Sequence, residues 1–241
     1  MGNLASASLS NNLSNNLRDN LSNSELAVVD DQSALAAAKL PVVETFHSVQ
    51  GEGVWTGSSA FFIRLAGCDV RCPWCDTKHS WPAARHPLKT IEALANEAVA
   101  ARPAMVVITG GEPLMHNLEL LTQALRQQGL RVHLETSGAY PLSGQFDWIS
   151  LSPKPFKPPL EDIYSQADEV KVIVGEPKDL VWLEAIASKV SGRTVKLIQP
   201  RWEETVDEQG TMPARQLAFD YVLAHPEWRM SLQTHKFLGV R

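Results

Sequence analysis

From Pro41 onward, short apolar runs rich in β-branched residues alternate with longer stretches whose apolar positions recur at helical spacing. Ala60-Phe61-Phe62-Ile63-Arg64-Leu65 predicts a first strand, ending at Gly67. Residues 90–101 predict a helix, because Ile91, Leu94, Ala95 and Ala98 share one face. A second strand is expected at 105–108, then a helix over 118–128 that stops at Gly129. Third, fourth and fifth strands are expected at 131–134, 147–151 and 169–174. A helix over 180–190, a sixth strand at 194–198, a helix over 213–225 and a short final strand at 229–233 complete the pattern.

Strands alternating with helices predict an α/β fold of parallel βα units, with the segments just after the strands forming the ligand-binding face. The unusual motifs fall there: Cys68 to Thr77 after the first strand, Thr109-Gly-Gly-Glu-Pro113 after the second, Glu135-Thr-Ser-Gly138 after the third, Ser152-Pro153-Lys154 after the fourth and Gln199-Pro200 after the sixth. Only about seven residues, 139–145, join the third and fourth strands. A parallel crossover with its helix needs ~10–12 or more. The prediction is therefore a partial barrel with some helices missing on one side.

Residues 1–40 differ from the rest. They are rich in Asn, Ser and Leu without an aromatic residue, which predicts a disordered extension ahead of a domain over 41–241. Leu4, Leu9, Leu13, Leu17 and Leu21 recur near the helical period and leave a weak amphipathic helix as the alternative. Hydrophobic residues make up 44% of the chain and charged ones 20%, as in ordinary soluble globular proteins. A net charge of −5 argues against a nucleic-acid partner while leaving room for a local basic pocket. No apolar run reaches the ~20 residues of a membrane span, and no basic stretch followed by an apolar core marks a secretory signal.

The chain has three cysteines, Cys68, Cys72 and Cys75, within eight residues. An odd, tight cluster favours metal binding in a reducing compartment, here the cytoplasm, over disulfides. Two metal readings stand at this point. Three thiolates suit an iron–sulfur cluster with one open coordination position. Joined by His79, four residues apart from Cys75, they suit structural zinc. Gly110-Gly111 alone is a tight turn, and Ser152-Pro153 and Gln199-Pro200 alone terminate strands. Arg64 lies inside an apolar strand, where an unpaired guanidinium is rare, and is expected to point into the barrel mouth toward an anion.

CxxxCxxC directly after a strand, with Trp74 before the last cysteine and GGEP after the second strand, resembles the radical S-adenosylmethionine superfamily. The full set, Gln50-Gly51-Glu52-Gly53, FIRLAGC, CPWCDT, TGGEP, ETSG, SPK and Gln233-Thr234-His235-Lys236, resembles its 7-carboxy-7-deazaguanine synthase family over residues ~41–241. That resemblance implies the partial (βα)6 barrel of the superfamily, a [4Fe-4S] cluster on Cys68, Cys72 and Cys75, S-adenosylmethionine on the open iron, and Mg²⁺ at Thr77. It places Trp74, Cys75, Asp76, Gly111, Ser152, Pro153, Lys154, Gln199 and Pro200 at the cofactor, where GGEP offers backbone acceptors and a carboxylate opposite the cofactor's ammonium. It places Val49, Gln50, Gly51, Glu52, Arg64, Thr109, Glu135 and His235 at a pterin substrate, 6-carboxy-5,6,7,8-tetrahydropterin, with Arg64 on its carboxylate and Thr109 and Glu135 on its edge. It further implies queuosine or deazapurine biosynthesis, a flavodoxin-type electron donor and a homodimer. Proton-transfer residues are left open, with Lys154 and Glu52 as candidates. A radical activating enzyme acting on a protein substrate would share the cysteine pattern but lack QGEG, FIR and QTHK.

Overall fold

Alternation along each strand decides the architecture. In β2 (Ser59–Leu65), Phe61, Ile63 and Leu65 join one apolar cluster, while Ala60 and Phe62 join another. β4 (Met105–Gly110) divides the same way, with Val106 and Ile108 on one side and Met105 and Val107 on the other. The first cluster also holds helix residues such as Leu94, Leu121, Leu125, Leu183 and Ile186, so it lies between sheet and helices. Side chains of opposite parity fill the concave interior. Because successive strand side chains point to opposite faces, Arg64, Thr109, His133, Glu135, Ser150, Glu169, Lys171 and Gln199 all fall on that interior face.

The structure is a computed structural model that describes residues 35–204 and 212–241. The remaining strands are β1 (Lys39–Val49), β3 (Leu88–Thr90), β5 (Val132–Thr136), β6 (Trp148–Leu151), β7 (Glu169–Val174), β8 (Val195–Pro200) and β9 (Trp228–Met230). They form one sheet in the order β3-β1-β2-β4-β5-β6-β7-β8-β9. All neighbours from β2 to β9 are parallel, and β1 runs antiparallel to both β2 and β3. The sheet curls into a partial barrel whose open side is bridged by the β1–β2 connection. There Gly53 N donates to Ser231 Oγ at 3.0 Å, Val54 N to Glu169 Oε2 at 2.9 Å, and Thr234 N to Gly51 O at 2.9 Å.

Helices α1 (Ile91–Ala101), α2 (Glu119–Gln127), α3 (Asp179–Ala187) and α4 (Pro213–Ala224) match the predicted ones to within a few residues. Thr90 caps α1 by accepting from Ala93 N at 3.2 Å, as a side-chain oxygen at this position does for an orphan helix donor. No helix joins β5 to β6, as the short linker required, and only a 3-10 turn, Glu161–Ser165, joins β6 to β7.

Four features depart from the sequence reading. β1 and β3 were not anticipated, because Pro41, Glu44 and His47 break any apolar run in β1 and β3 spans three residues. The final strand sits at Trp228–Met230 and not at 229–233, because Trp228 is buried in the core. The chain then turns into an unpredicted helix, α5 (Thr234–Leu238). Residues 35–40, grouped with the extension, join the fold: Leu40 is buried, and Leu35 and Ala38 pack on the core. The expected disorder and the alternative amphipathic helix otherwise fall on 1–34, outside the described residues.

Candidate active site

The cysteine loop leaves β2 through Gly67, whose φ of 105° suits glycine. Gly67 N donates to Ser80 O at 2.7 Å and Cys68 N to Trp81 O at 3.1 Å, which ties the two ends of the loop together. Cys75 N donates to Cys72 O at 3.1 Å across the turn between them. All three cysteines are free, half-buried and face one cavity of about 300 Å³. Among the described residues no three His, Cys, Asp or Glu side chains converge as a metal cage. His79 is exposed and does not line the cavity. The donor set is three soft sulfur atoms on one loop without a fourth protein ligand beside them, which suits a cluster with one open position better than four-coordinate zinc. Burial pushes the Cys68 and Cys72 thiols above their ordinary values, so the thiolates a cluster needs would form with the metal. Thr77 Oγ1 lies 3.5 Å from Cys75 Sγ.

Gly110-Gly111 brings the end of β4 against this loop. A Cβ on Gly110 would stand 2.1 Å from Leu65 O, and one on Gly111 would stand 2.2 Å from Gly67 O and 2.9 Å from Cys68 Cβ. The backbones therefore touch where a side chain has no room. Glu112 N donates to Gly67 O at 2.8 Å. The Glu112 side chain turns away from the loop to the end of β5, accepting from Thr136 and Ser137.

Below the loop the interior is lined with paired polar groups. Glu135 accepts from Gln50 Nε2 at 2.9 Å and from Thr109 Oγ1 at 2.8 Å. Glu52 forms an ion pair with Lys171 and accepts from Gln233 Nε2 at 2.8 Å. Burial by itself raises a carboxyl pKa, but the Lys171 ammonium, Gln233 and His235 hold Glu52 down at about 2. Burial likewise opposes the Lys171 charge, yet Glu52, Glu135 and Glu169 keep its pKa above the ordinary lysine value. Glu169, pushed up by burial, accepts from Val54 N. Burial drags Lys154 down to about 8, and its Nζ donates to Ser152 O at 2.5 Å and Ser152 Oγ at 2.7 Å. Arg64 lines the cavity, but it is not the lone cation expected: its Nε donates to Glu44 Oε1 at 3.0 Å, and Arg241 holds the other Glu44 oxygen at 2.9 Å.

The Radical SAM superfamily pattern matches residues 62–153, the span from β2 to the SPK segment. The chain is 55% identical to the 7-carboxy-7-deazaguanine synthase of Synechocystis over 87% of its own length and 97% of the relative's. It is 44% identical to that of Flavobacterium psychrophilum, over 83% and 92%. The chain belongs to the 7-carboxy-7-deazaguanine synthase family. The crystal structure of QueE from Escherichia coli superposes with a TM-score of 0.73 at 30% identity, covering 86% of this chain and 99% of that one.

As a member of this family the protein is a radical S-adenosylmethionine enzyme. Of the residues that the family resemblance assigned to metal, cofactor or substrate, the structure gathers all but Pro153 around this cavity. Pro153 is buried between Ser152 and Lys154 and does not line it. His235 reaches the cavity because α5 packs on the β1–β2 connection: a Cβ on Gly51 would stand 2.1 Å from His235 Nδ1. Among the lining residues that sequence reasoning missed are Lys171, Gln233, Trp202 and Lys236. Lys171 carried a signal of its own, a lysine inside the apolar strand EVKVIV, the same anomaly that singled out Arg64. Gln233 and Lys236 belonged to a named motif, and Trp202 carried none.

Proposed function

We propose that the chain catalyses the Mg²⁺-dependent radical ring contraction of 6-carboxy-5,6,7,8-tetrahydropterin to 7-carboxy-7-deazaguanine, releasing ammonia, and so feeds queuosine or another deazapurine. The observation that carries this reading is the joining of three free cysteines and a polar barrel interior in one cavity. A [4Fe-4S] cluster on Cys68, Cys72 and Cys75 with S-adenosylmethionine, when bound, would supply one-electron chemistry and a carbon-centred hydrogen abstractor. The protein's own residues do the rest. Glu135, already aligned by Gln50 and Thr109, offers acceptors to the amino and ring N–H edge of a pterin. Arg64 and Lys154 supply positive charge for carboxylates, although Glu44 shares the Arg64 guanidinium. His235 and Val49 close the substrate end, and Gln199, Pro200 and Ser152 border the cofactor end. Thr77, beside Cys75, offers a hydroxyl oxygen of the kind Mg²⁺ accepts alongside substrate oxygens.

Substrate and product differ by NH3 alone, so the conversion is redox-neutral and S-adenosylmethionine can be regenerated. Priming still needs an electron, which we assign to a flavodoxin-type donor. We further assign the chemistry to the domain over 41–241 foreseen from the sequence, extended by the packed residues 35–40, and the working form to a homodimer. The test is an anaerobic assay of cluster-loaded protein with dithionite, S-adenosylmethionine, Mg²⁺ and the carboxytetrahydropterin. A deazaguanine product lighter than the substrate by one ammonia supports the reading. A cluster-loaded sample that cleaves the cofactor but leaves the pterin intact overturns the substrate assignment, and omission of Mg²⁺ tests the metal separately.

A further inference from the structure

The register between β1 and β2 sets four side chains of one parity side by side. Glu44 lies opposite Arg64, and Phe46 opposite Phe62, across the antiparallel pair. Such cross-strand neighbours are close enough to interact. The Arg64 guanidinium is held on two sides. Its Nε donates to Glu44 Oε1 at 3.0 Å, and its Cζ lies 5.7 Å from the centre of the Phe46 ring, which stacks on Phe62 at 4.8 Å. A guanidinium carries five N–H donors in a fixed fork. Among the described residues no hydrogen-bond partner engages those on Nη1 and Nη2, and Arg64 lines the cavity. Glu44 does not line it, so this carboxylate acts on a ligand through Arg64. The other Glu44 oxygen accepts from Arg241 Nη1 at 2.9 Å, and Ser48 Oγ donates to Arg241 O at 2.7 Å. Arg241 is thereby fastened twice to β1. With it, the trio carries a net positive charge, whereas Arg64 and Glu44 alone would cancel.

We propose that Glu44 is a positioning residue for recognition of the substrate carboxylate. It occupies the Nε edge of Arg64 so that the Nη1 and Nη2 fork is presented to the cavity, and Arg241 neutralises the Glu44 charge that would otherwise repel the same anion. This deepens, and rests on, the carboxypterin reading above. A guanidinium grips a carboxylate best through two parallel N–H bonds, so its orientation matters as much as its charge. The two effects of Glu44 have opposite signs. By charge alone, deleting an acid beside the site strengthens attraction for an anion. A loss of affinity on removing Glu44 is therefore a signature of positioning.

The experiment measures equilibrium affinity of the full-length, cluster-loaded protein, anaerobically and without a reductant so that nothing turns over. The two ligands are 6-carboxy-5,6,7,8-tetrahydropterin and the tetrahydropterin that lacks the carboxyl group. Glu44→Ala is expected to weaken the carboxylated ligand about tenfold, the scale of a lost hydrogen bond to a charged group, and to leave the other unchanged. Glu44→Gln, whose amide oxygen still accepts from Nε, is expected to restore the affinity. Arg241→Gln is expected to weaken the carboxylated ligand about threefold at low salt, the scale of an exposed ion pair. That effect should vanish at high salt and in the Glu44→Gln background. Tighter or unchanged binding in Glu44→Ala, equal weakening of both ligands, or a Glu44→Gln variant as weak as Glu44→Ala overturns the positioning role. An Arg241→Gln effect that persists beside Glu44→Gln overturns the part given to Arg241. Should Glu44→Ala not fold, Glu44→Asp decides, because it keeps the charge and shortens the reach: weakening of the carboxylated ligand alone upholds the proposal, and unchanged binding overturns it. A parent that binds both pterins equally overturns the substrate reading and this proposal with it, whereas a discriminating parent with unmoved variants overturns the proposal alone.

Discussion

The cysteine loop and the barrel interior share one cavity but are built on different terms. The loop is anchored from its flanks. Asp69 meets Lys157 at 2.6 Å, Asp76 meets Lys236 at 2.8 Å, and Trp74 leans on Phe156 with ring centroids 5.7 Å apart. These contacts are exposed, and its three thiols share a cavity without forming a cage. The interior groups are paired with one another before any ligand arrives: Glu52 with Lys171, Glu135 with Gln50 and Thr109. One region is completed by its cofactor, while the other is preorganised by the fold, which keeps low the ordering cost of binding a polar substrate. The helix-less crossovers after β5 and β6 serve the first region, because Tyr140, whose hydroxyl donates to Asp69, and Phe156 and Lys157 come from them.

Removing one ligand from the loop should separate the two regions most sharply. Cys72→Ala is expected to abolish acid-labile sulfide retention and turnover, while the unfolding free energy of the unloaded protein moves by less than about 1 kcal/mol, as for partly exposed loop positions. A large loss of stability in the unloaded variant would mean that the loop is part of the preorganised frame.

The opposite result is expected for Lys171→Met. Leaving the buried Glu52 carboxylate without its cation should cost about 3–5 kcal/mol in denaturant unfolding. Adding Glu52→Gln should recover much of that, and a double variant as unstable as the single would break the assignment. The pH dependence follows with a definite sign. Glu52 titrates at about 2 in the fold against 4.5 ordinarily, so its contribution is present above pH 4.5 and lost as pH falls toward 2. The raised Lys171 pKa is the other face of the same pair: its contribution is present below 10.5 and lost only as pH rises through the higher folded value.

Gly51→Ala tests how the interior is closed. The added methyl needs the space of His235 Nδ1, so the imidazole must leave. We expect the substrate KM to rise about tenfold, the scale of a small misplacement in a positioned site, and His235→Ala to add little to it. An unchanged KM would place His235 outside substrate contact.

A smaller effect concerns Lys154, protonated in the fold only below about pH 8 although lysine ordinarily holds its proton to 10.5. The unfolded chain binds the extra proton between those values, so stability from this group rises with pH across that interval. Lys154→Met should remove that slope, and anion affinity in the parent should fall above pH 8. Smallest of all, Lys236→Ala breaks a half-exposed pair with Asp76 and should change unfolding by less than about 1 kcal/mol. A larger change would move that anchor into the preorganised class.

The sequence by itself determined the parallel βα plan, the missing helix after β5, the gathering of the strand-end motifs on one face, and about half of the residues around the cavity. It could do so because these are local signals: period-two alternation, short linkers, glycines with no room for a side chain, and cysteine spacing. Polar residues of one strand parity, Arg64 and Lys171 alike, already announce which face is interior. Tertiary structure alone decided the pairings. That Glu44 partners Arg64, that Lys171 neutralises Glu52, that Glu112 is filled by donors from β5, and that α5 carries His235 across to Gly51 all depend on residues 20 to 184 positions apart in the chain. Such contacts arise when the sheet curls and its open side is bridged. β1, too polar to stand out as a strand, becomes one because β2 and β3 offer it hydrogen bonds on both edges.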